Sequence, residues 1–137
     1  MDWKECNEKR FVKDVSPDND LAISLLKSSQ KKSETASRIG LDDVTAASKI
    51  TLYYDSLREI LEAVAIRKGF KIYNHDCYCA FLKEILREEE LGELFDKARK
   101  IRNSINYYGK DIKSKEAEEI IQDIIMLIEK TKRILKC

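Results

Sequence analysis

Apolar residues recur along this chain at alternating spacings of three and four, the repeat that aligns one face of an α-helix. The clearest run is Ala47, Ile50, Tyr54, Leu57, Leu61 and Val64. A second is Leu91, Leu94, Ala98, Ile101, Ile105 and Tyr108. A third gathers Ile120, Ile121, Ile124, Leu127, Ile128, Ile134 and Leu135. Punctuation supports each helix. Asp42 or Asp43 caps the first run and Gly69 ends it, while Gly109 ends the second. Ser114 opens the third, with Glu116, Glu118 and Glu119 in its first turn and Lys130, Lys132, Arg133 and Lys136 toward its negative end. Two weaker segments complete the pattern. Ser16-Pro17 predicts the start of a helix to Ile39, whose stripe of Leu21, Leu25, Ala36 and Ile39 is interrupted by "SSQKKSE" before Gly40. Asn74 predicts the cap of a helix that buries Tyr78, Phe81, Leu82 and Ile85 and breaks at "REEE".

Short connections make consecutive helices antiparallel neighbours. The expected fold is therefore all-α, an up-and-down bundle of four long helices with an additional short helix. Residues 1–15 are expected to be a loosely held segment, and residues 16–137 a single helical domain. A length of 137 residues fits one core, and only 4 Gly and 1 Pro leave little material for a many-stranded β protein.

Charge changes the picture little. Charged residues make up 37% of the chain, yet the net charge is +1, so long-range attraction to nucleic acid or acidic membranes is not built into the total. The opening "MDWKECNEKR" lacks the apolar region of a signal peptide, and no apolar run approaches the roughly 20 residues of a membrane span. Cys6, Cys77, Cys79 and Cys137 are scattered, and no second Cys pair or His cluster completes a zinc site. They are expected to be structural or incidental thiols in a reducing cytoplasm, with no metal and no cofactor.

The candidate chemistry lies in "RKIRNSINYYG", residues 99–109. Arg102 and Asn106 are four apart on one flank of the predicted stripe, and Asn103 and Tyr107 are four apart beside them. Arg offers a planar fork suited to phosphate, amides read base or sugar edges, and Tyr stacks on bases. Equal-height bookkeeping in a short-loop bundle sets His75, the sole histidine, near the level of Asn103. It also sets Glu62 about one turn from that height on the preceding helix, where it is the expected ion-pair partner of Arg102 until a phosphate displaces it. Flank charges on helices commonly just pair with one another, which is the bland alternative.

The segment resembles the signature of the HEPN family, the higher-eukaryote and prokaryote nucleotide-binding domain. That family has a four-helix core and carries Arg, a polar residue, a short spacer and His near the end of its last-but-one long helix. Here "RNSINYYG" supplies Arg102 and Asn103. "YYDSLREILEAVAIRKGFKIYNHDCYCAFL" also resembles small prokaryotic HEPN proteins, and the likeness covers roughly residues 21–135. The resemblance implies a dimer in which Arg102, Asn103, Asn106, Tyr107, Tyr108 and Glu62 bind RNA or a nucleotide. It also implies a toxin–antitoxin or defence role, beside a minimal nucleotidyltransferase partner.

One departure bears on catalysis. In active HEPN ribonucleases, His and Arg from two subunits share a cleft and cleave RNA without metal. Tyr107 stands where that His falls. With a pKa near 10, about one Tyr in a thousand is ionised at pH 7, and losing a general base costs about 10²- to 10⁴-fold. Arg102, Asn103 and Tyr107 are thus a degenerate catalytic set, with His75 as the auxiliary candidate. The expectation is binding with weak or lost nuclease activity. The alternatives are an active metal-independent endoribonuclease and a non-catalytic helical interaction module.

Overall fold

The computed structural model describes residues 1–136, and Cys137 lies outside the described residues. Within them are six α-helices, a π-helical turn and one two-stranded sheet, with 74% of the chain helical. The order is α1 (Trp3–Glu8), β1 (Val12–Asp14), α2 (Asn19–Arg38), α3 (Ala46–Arg67), β2 (Phe70–Ile72), α4 (Asp76–Ala80), the π turn Phe81–Ile85, α5 (Glu89–Tyr108) and α6 (Ser114–Leu135). The mainly helical class read from the spacing is what is observed.

The core is organised around α3. Ile50, Tyr54, Leu57, Ile60, Leu61 and Ala63 are all 1% exposed or less, so this helix is buried on more than one face. Its neighbours are α2, α5, α6 and β2. From α5 come Leu91, Phe95 and Ala98, and from α6 come Ile121, Ile124, Leu127 and Ile128.

The α2–α3 contact is a polar seam. Ser29 Oγ donates to the Ser56 carbonyl at 2.8 Å, and Ser56 Oγ returns a bond to the Ser29 carbonyl at 2.9 Å. Ser33 joins them, and Lys32 pairs with the buried Glu59. Small side chains let the helix axes approach, and paired hydroxyls avoid the cost of burying an unmade hydrogen bond. The stretch "SSQKKSE", which interrupts the apolar stripe, therefore supplies contact residues rather than a gap.

Several expectations are corrected by local geometry. Residues 1–15 are not a loose segment. They form α1 and β1, and β1 pairs antiparallel with β2, Val12 facing Ile72 and Asp14 facing Phe70. Cys6 is buried and bonded to Cys77, so these two are not free thiols; of the described cysteines only Cys79 is free, and it is buried. The first long helix, α2, starts not at Pro17 but after Asp18, whose carboxylate accepts from Leu21 N at 2.9 Å. Val15 is instead held to the sheet end through the Gly69 carbonyl at 2.9 Å.

The predicted third helix splits into α4 and the π turn, and Arg87 at φ 56° closes it. The N-cap position is His75 and not Asn74, though the Asn74 side chain still accepts from Asp76 N at 2.9 Å. Gly109 acts as foreseen, ending α5 in the left-handed region at φ 64°, where a side chain would strain the backbone. Tyr108 does not extend the buried stripe; it is 84% exposed because α5 has run past its neighbours there. The N-terminus of α6 is tied back by Asp43, which accepts from Ser114 N at 2.8 Å; that bond holds the Asp43 carboxyl below its usual range. Among the described residues, no helix is long and apolar enough to cross a membrane.

Candidate functional site

Three elements bring polar groups to one face. On α3, Asp55, Arg58 and Glu62 follow spacings of three and four beside the buried Tyr54. On α5, Asp96, Arg99 and Arg102 follow spacings of three, beside the buried Phe95. Between them lies α4, preceded by His75. These groups share flanks because each helix spends its apolar stripe on the core and leaves the adjacent stripe at the rim.

Aromatic rings form the floor. Phe95 stacks on Tyr54 with centroids 5.7 Å apart and meets Tyr78 edge-on at 6.0 Å. His75 lies 6.0 Å from the Tyr54 ring and 6.2 Å from Tyr78. Its Nδ1 is 3.1 Å from the Tyr54 hydroxyl. The Arg102 guanidinium sits over the Tyr54 ring, with Cζ 5.5 Å from its centroid. Tyr54 thereby links His75 to Arg102, and the estimated proximity of the lone histidine to the motif corresponds to an actual juxtaposition.

The ion pairs differ in quality. Arg58 donates to Glu62 at 2.9 Å. Arg99 donates to Asp96 through Nη2 at 2.7 Å and lies 3.6 Å from Asp76. Arg102 is held least well. Its nearest carboxylate is Asp55 at 3.9 Å, beyond hydrogen-bond distance, and its buried Nε has no partner. The pairing of Arg102 with Glu62 is corrected here: Glu62 lies about two turns beyond Asp55 on α3 and belongs to Arg58, and Asp55 takes its place.

Burial, then the charges of Arg58, Arg102 and Arg99, push the His75 pKa down to about 4, so the imidazole is neutral at pH 7. Burial raises the Tyr54 and Tyr78 hydroxyls, which stay protonated. Burial, followed by the Asp96 carboxylate, pushes the Cys79 thiol up to about 12. Burial acts to raise Asp96, but hydrogen bonds from Arg99 and Lys100 outweigh it and hold the carboxyl at about 2.

Asp76, Cys79 and Asp96 each place a ligand-type atom within 4.8 Å of the others. Arg99 lies against both carboxylates and supplies the positive charge at that point, so we read the group as an arginine clamp and not a metal centre.

The remaining predicted residues are spread along the end of α5. Asn103 is half-buried and Asn106 exposed. Tyr107 is 71% exposed, with no place on the aromatic floor. Sequence reasoning missed Asp55, Arg58, Asp76, Asp96 and Arg99. The signal for two of them was present, because Asp55 and Arg58 flank the α3 stripe as Arg102 flanks that of α5. No protein-family model, curated protein or solved structure matches this chain.

Proposed function

We propose that the chain is a HEPN-type protein, an up-and-down bundle of α2, α3, α5 and α6 that binds RNA or a nucleotide by its phosphate. The observation that carries this reading is the state of Arg102: fixed over Tyr54, with a buried Nε unpartnered and its nearest carboxylate at 3.9 Å. The Nη groups of a guanidinium so placed are left for an anion, and a phosphate oxygen would compete mainly with Asp55. Asn103, Asn106, Tyr107 and Tyr108 extend the same helix toward the exposed end, where they would meet the sugar and base.

In this reading two copies associate about a two-fold axis that brings their Arg102 side chains toward a common cleft. Asp55 is the internal counter-ion until phosphate arrives. The protein works in a toxin–antitoxin or defence system, with a minimal nucleotidyltransferase as partner. Catalysis is weak or absent, because Tyr107 replaces the motif's histidine and His75 is neutral with Nδ1 engaged by Tyr54.

Binding of a labelled oligouridylate, followed by fluorescence anisotropy, tests this. Arg102→Ala is expected to weaken binding about ten- to a hundredfold, the worth of a charge-assisted hydrogen bond. Equal binding by wild type and Arg102→Ala would remove the reading. Light scattering at high protein concentration is expected to give a dimer mass, and a monomer would end the shared-cleft arrangement. RNA incubated with the protein in chelator is expected to remain intact. Cleavage abolished by Arg102→Ala would instead favour the endoribonuclease.

A further inference from the structure

We propose that this face binds an anionic phosphate oxygen together with a proton. His75 is neutral while the site is empty and becomes a cationic donor, beside Arg58, Arg99 and Arg102, when the anion is held. The inference rests on the phosphate-binding reading and adds the chemistry by which the site responds to its ligand.

The geometry supports this in three ways. First, His75 precedes α4 and faces α3 through Tyr54, and α3 and α5 supply the three arginines; it is anchored through one ring nitrogen, by Tyr54. Protonation need not break that anchor. A phenol oxygen can accept as well as donate, so Nδ1–H can donate to Tyr54 once the imidazole is charged. The contact then persists with its direction reversed, and Nε2–H is left to face the ligand.

Second, the face is partly exposed. The side chains of Arg58, Arg99 and Arg102 retain 23%, 17% and 17% exposure, and Asp55 and Asp76 retain 25% and 29%. A phosphate oxygen can reach the guanidinium edges without unfolding the site.

Third, the charges around His75 are arranged so that an added anion changes their balance. From α3 come Arg58, already bonded to Glu62, and Asp55. From α4 come Asp76 and the hydroxyl of Tyr78, with Cys79 behind them. From α5 come Arg102 and Arg99, the latter bonded to Asp96. Glu62 and Asp96 are tightly held, whereas Asp55 and Asp76 stand 3.9 and 3.6 Å from their arginines. The empty site therefore presents His75 with arginine charge that its loosest acids only partly offset, in addition to the cost of burial. A bound phosphate oxygen offsets that charge, which favours the imidazolium. By linkage, whatever the anion does for the proton, the proton does for the anion.

The sign follows from the lowered value. An empty-site pKa of about 4 means the free protein carries no His75 proton at neutral pH. If binding raises that value, proton uptake accompanies binding between the two pKa values, and affinity rises as pH falls through that window. Each unit of increase allows about a tenfold gain in affinity.

The test uses the full chain and a short oligouridylate, whose phosphodiesters and bases do not titrate between about pH 4.5 and about pH 8, the window of the histidine change. Because the chain has one histidine, its imidazole C2–H signal reports this group alone. The signal is expected to titrate near pH 4 in the free protein. With saturating oligouridylate the midpoint is expected to move up by about two units, and binding to be about tenfold tighter near pH 5 than near pH 7.5.

His75→Gln is expected to bind without that pH dependence. Uridine monophosphate and sulfate, run in parallel, separate an RNA backbone from a free phosphate group and from any oxyanion. Should His75→Gln fail to fold, the wild-type resonance still decides. Oligouridylate that binds through Arg102 while the histidine midpoint stays fixed would overturn this inference and leave the binding reading intact. No binding of any of the three probes across the range would overturn both.

Discussion

Replacing Cys6 and Cys77 together by alanine is expected to lower the midpoint of thermal unfolding by about 15 °C. The bond closes a loop of sequence separation 71 and joins α1 to α4. Chain-entropy reasoning assigns a loop of that length about 4 kcal/mol at 25 °C. An unfolding entropy of about 2 cal/mol/K per residue, over this chain, converts that loss into the stated shift. Alanine is preferred to serine because both positions are 0% exposed and a hydroxyl there would need a partner.

A dithiol reductant on the wild-type protein should give a comparable fall, returning the bond's electrons as two cysteine thiols while the dithiol is oxidised to its own disulfide. Cys79 is a poor participant, since its thiol is buried and its pKa pushed up to about 12. The sole tryptophan reports the local event. Trp3 packs edge-on against Phe70 at 5.4 Å and against Phe81 at 5.8 Å, so its emission should shift to the red if α1 leaves this pocket on reduction. A midpoint that moves by less than about 3 °C would show that the unfolded chain gains little freedom when the bond is cut.

That bond also marks where sequence reading reached its limit. Periodicity found α3, α5 and α6 because each spends an apolar stripe on the core, and Gly109 marked the end of α5 as only a left-handed position would. It underrated α2, since a seam built on Ser29, Ser33 and Ser56 carries no hydrophobic signal; the hydroxyls satisfy one another only once the two helices meet. The strands Val12–Asp14 and Phe70–Ile72 are too short for a period of two to register. Nothing in the spacing of four cysteines says which two will meet. At the candidate site, Arg102 and His75 were legible as residues, but their link was not. Tyr54 read as an ordinary core position on the α3 stripe, and its hydroxyl and ring became the connection only through the packing of α4 and α5. Glu62 was misassigned for a related reason. Asp55 and Glu62 are seven residues apart on α3 and so share one face; loop lengths gave height along the bundle only to within about two turns, which put Glu62 where Asp55 stands.

Phe95 is where that packing can be tested with the largest effect. Its ring is 1% exposed, stacked on Tyr54 at an interplanar angle of 25° and edge-on to Tyr78 at 67°. Phe95→Ala is expected to cost about 3–5 kcal/mol, as lost transfer energy plus the cavity left behind. That is a large share of the roughly 5–15 kcal/mol available to a domain, so the variant should sit near its unfolding midpoint in mild denaturant. Phe95→Leu keeps most of the volume and should cost only about 1–2 kcal/mol, leaving a folded protein in which the floor is softer. The two variants separate stability from site geometry. Tyr54 carries both the His75 contact and the Arg102 guanidinium, so Phe95→Leu should weaken oligouridylate binding while the protein remains folded. Denaturant curves with unchanged slope would certify that the midpoint reports stability alone. A Phe95→Ala variant that loses less than about 1.5 kcal/mol would mean that the rings around it collapse to fill the space. Tyr54 would then not be held by this stack, and the floor beneath Arg102 would have to be supported from α4 alone.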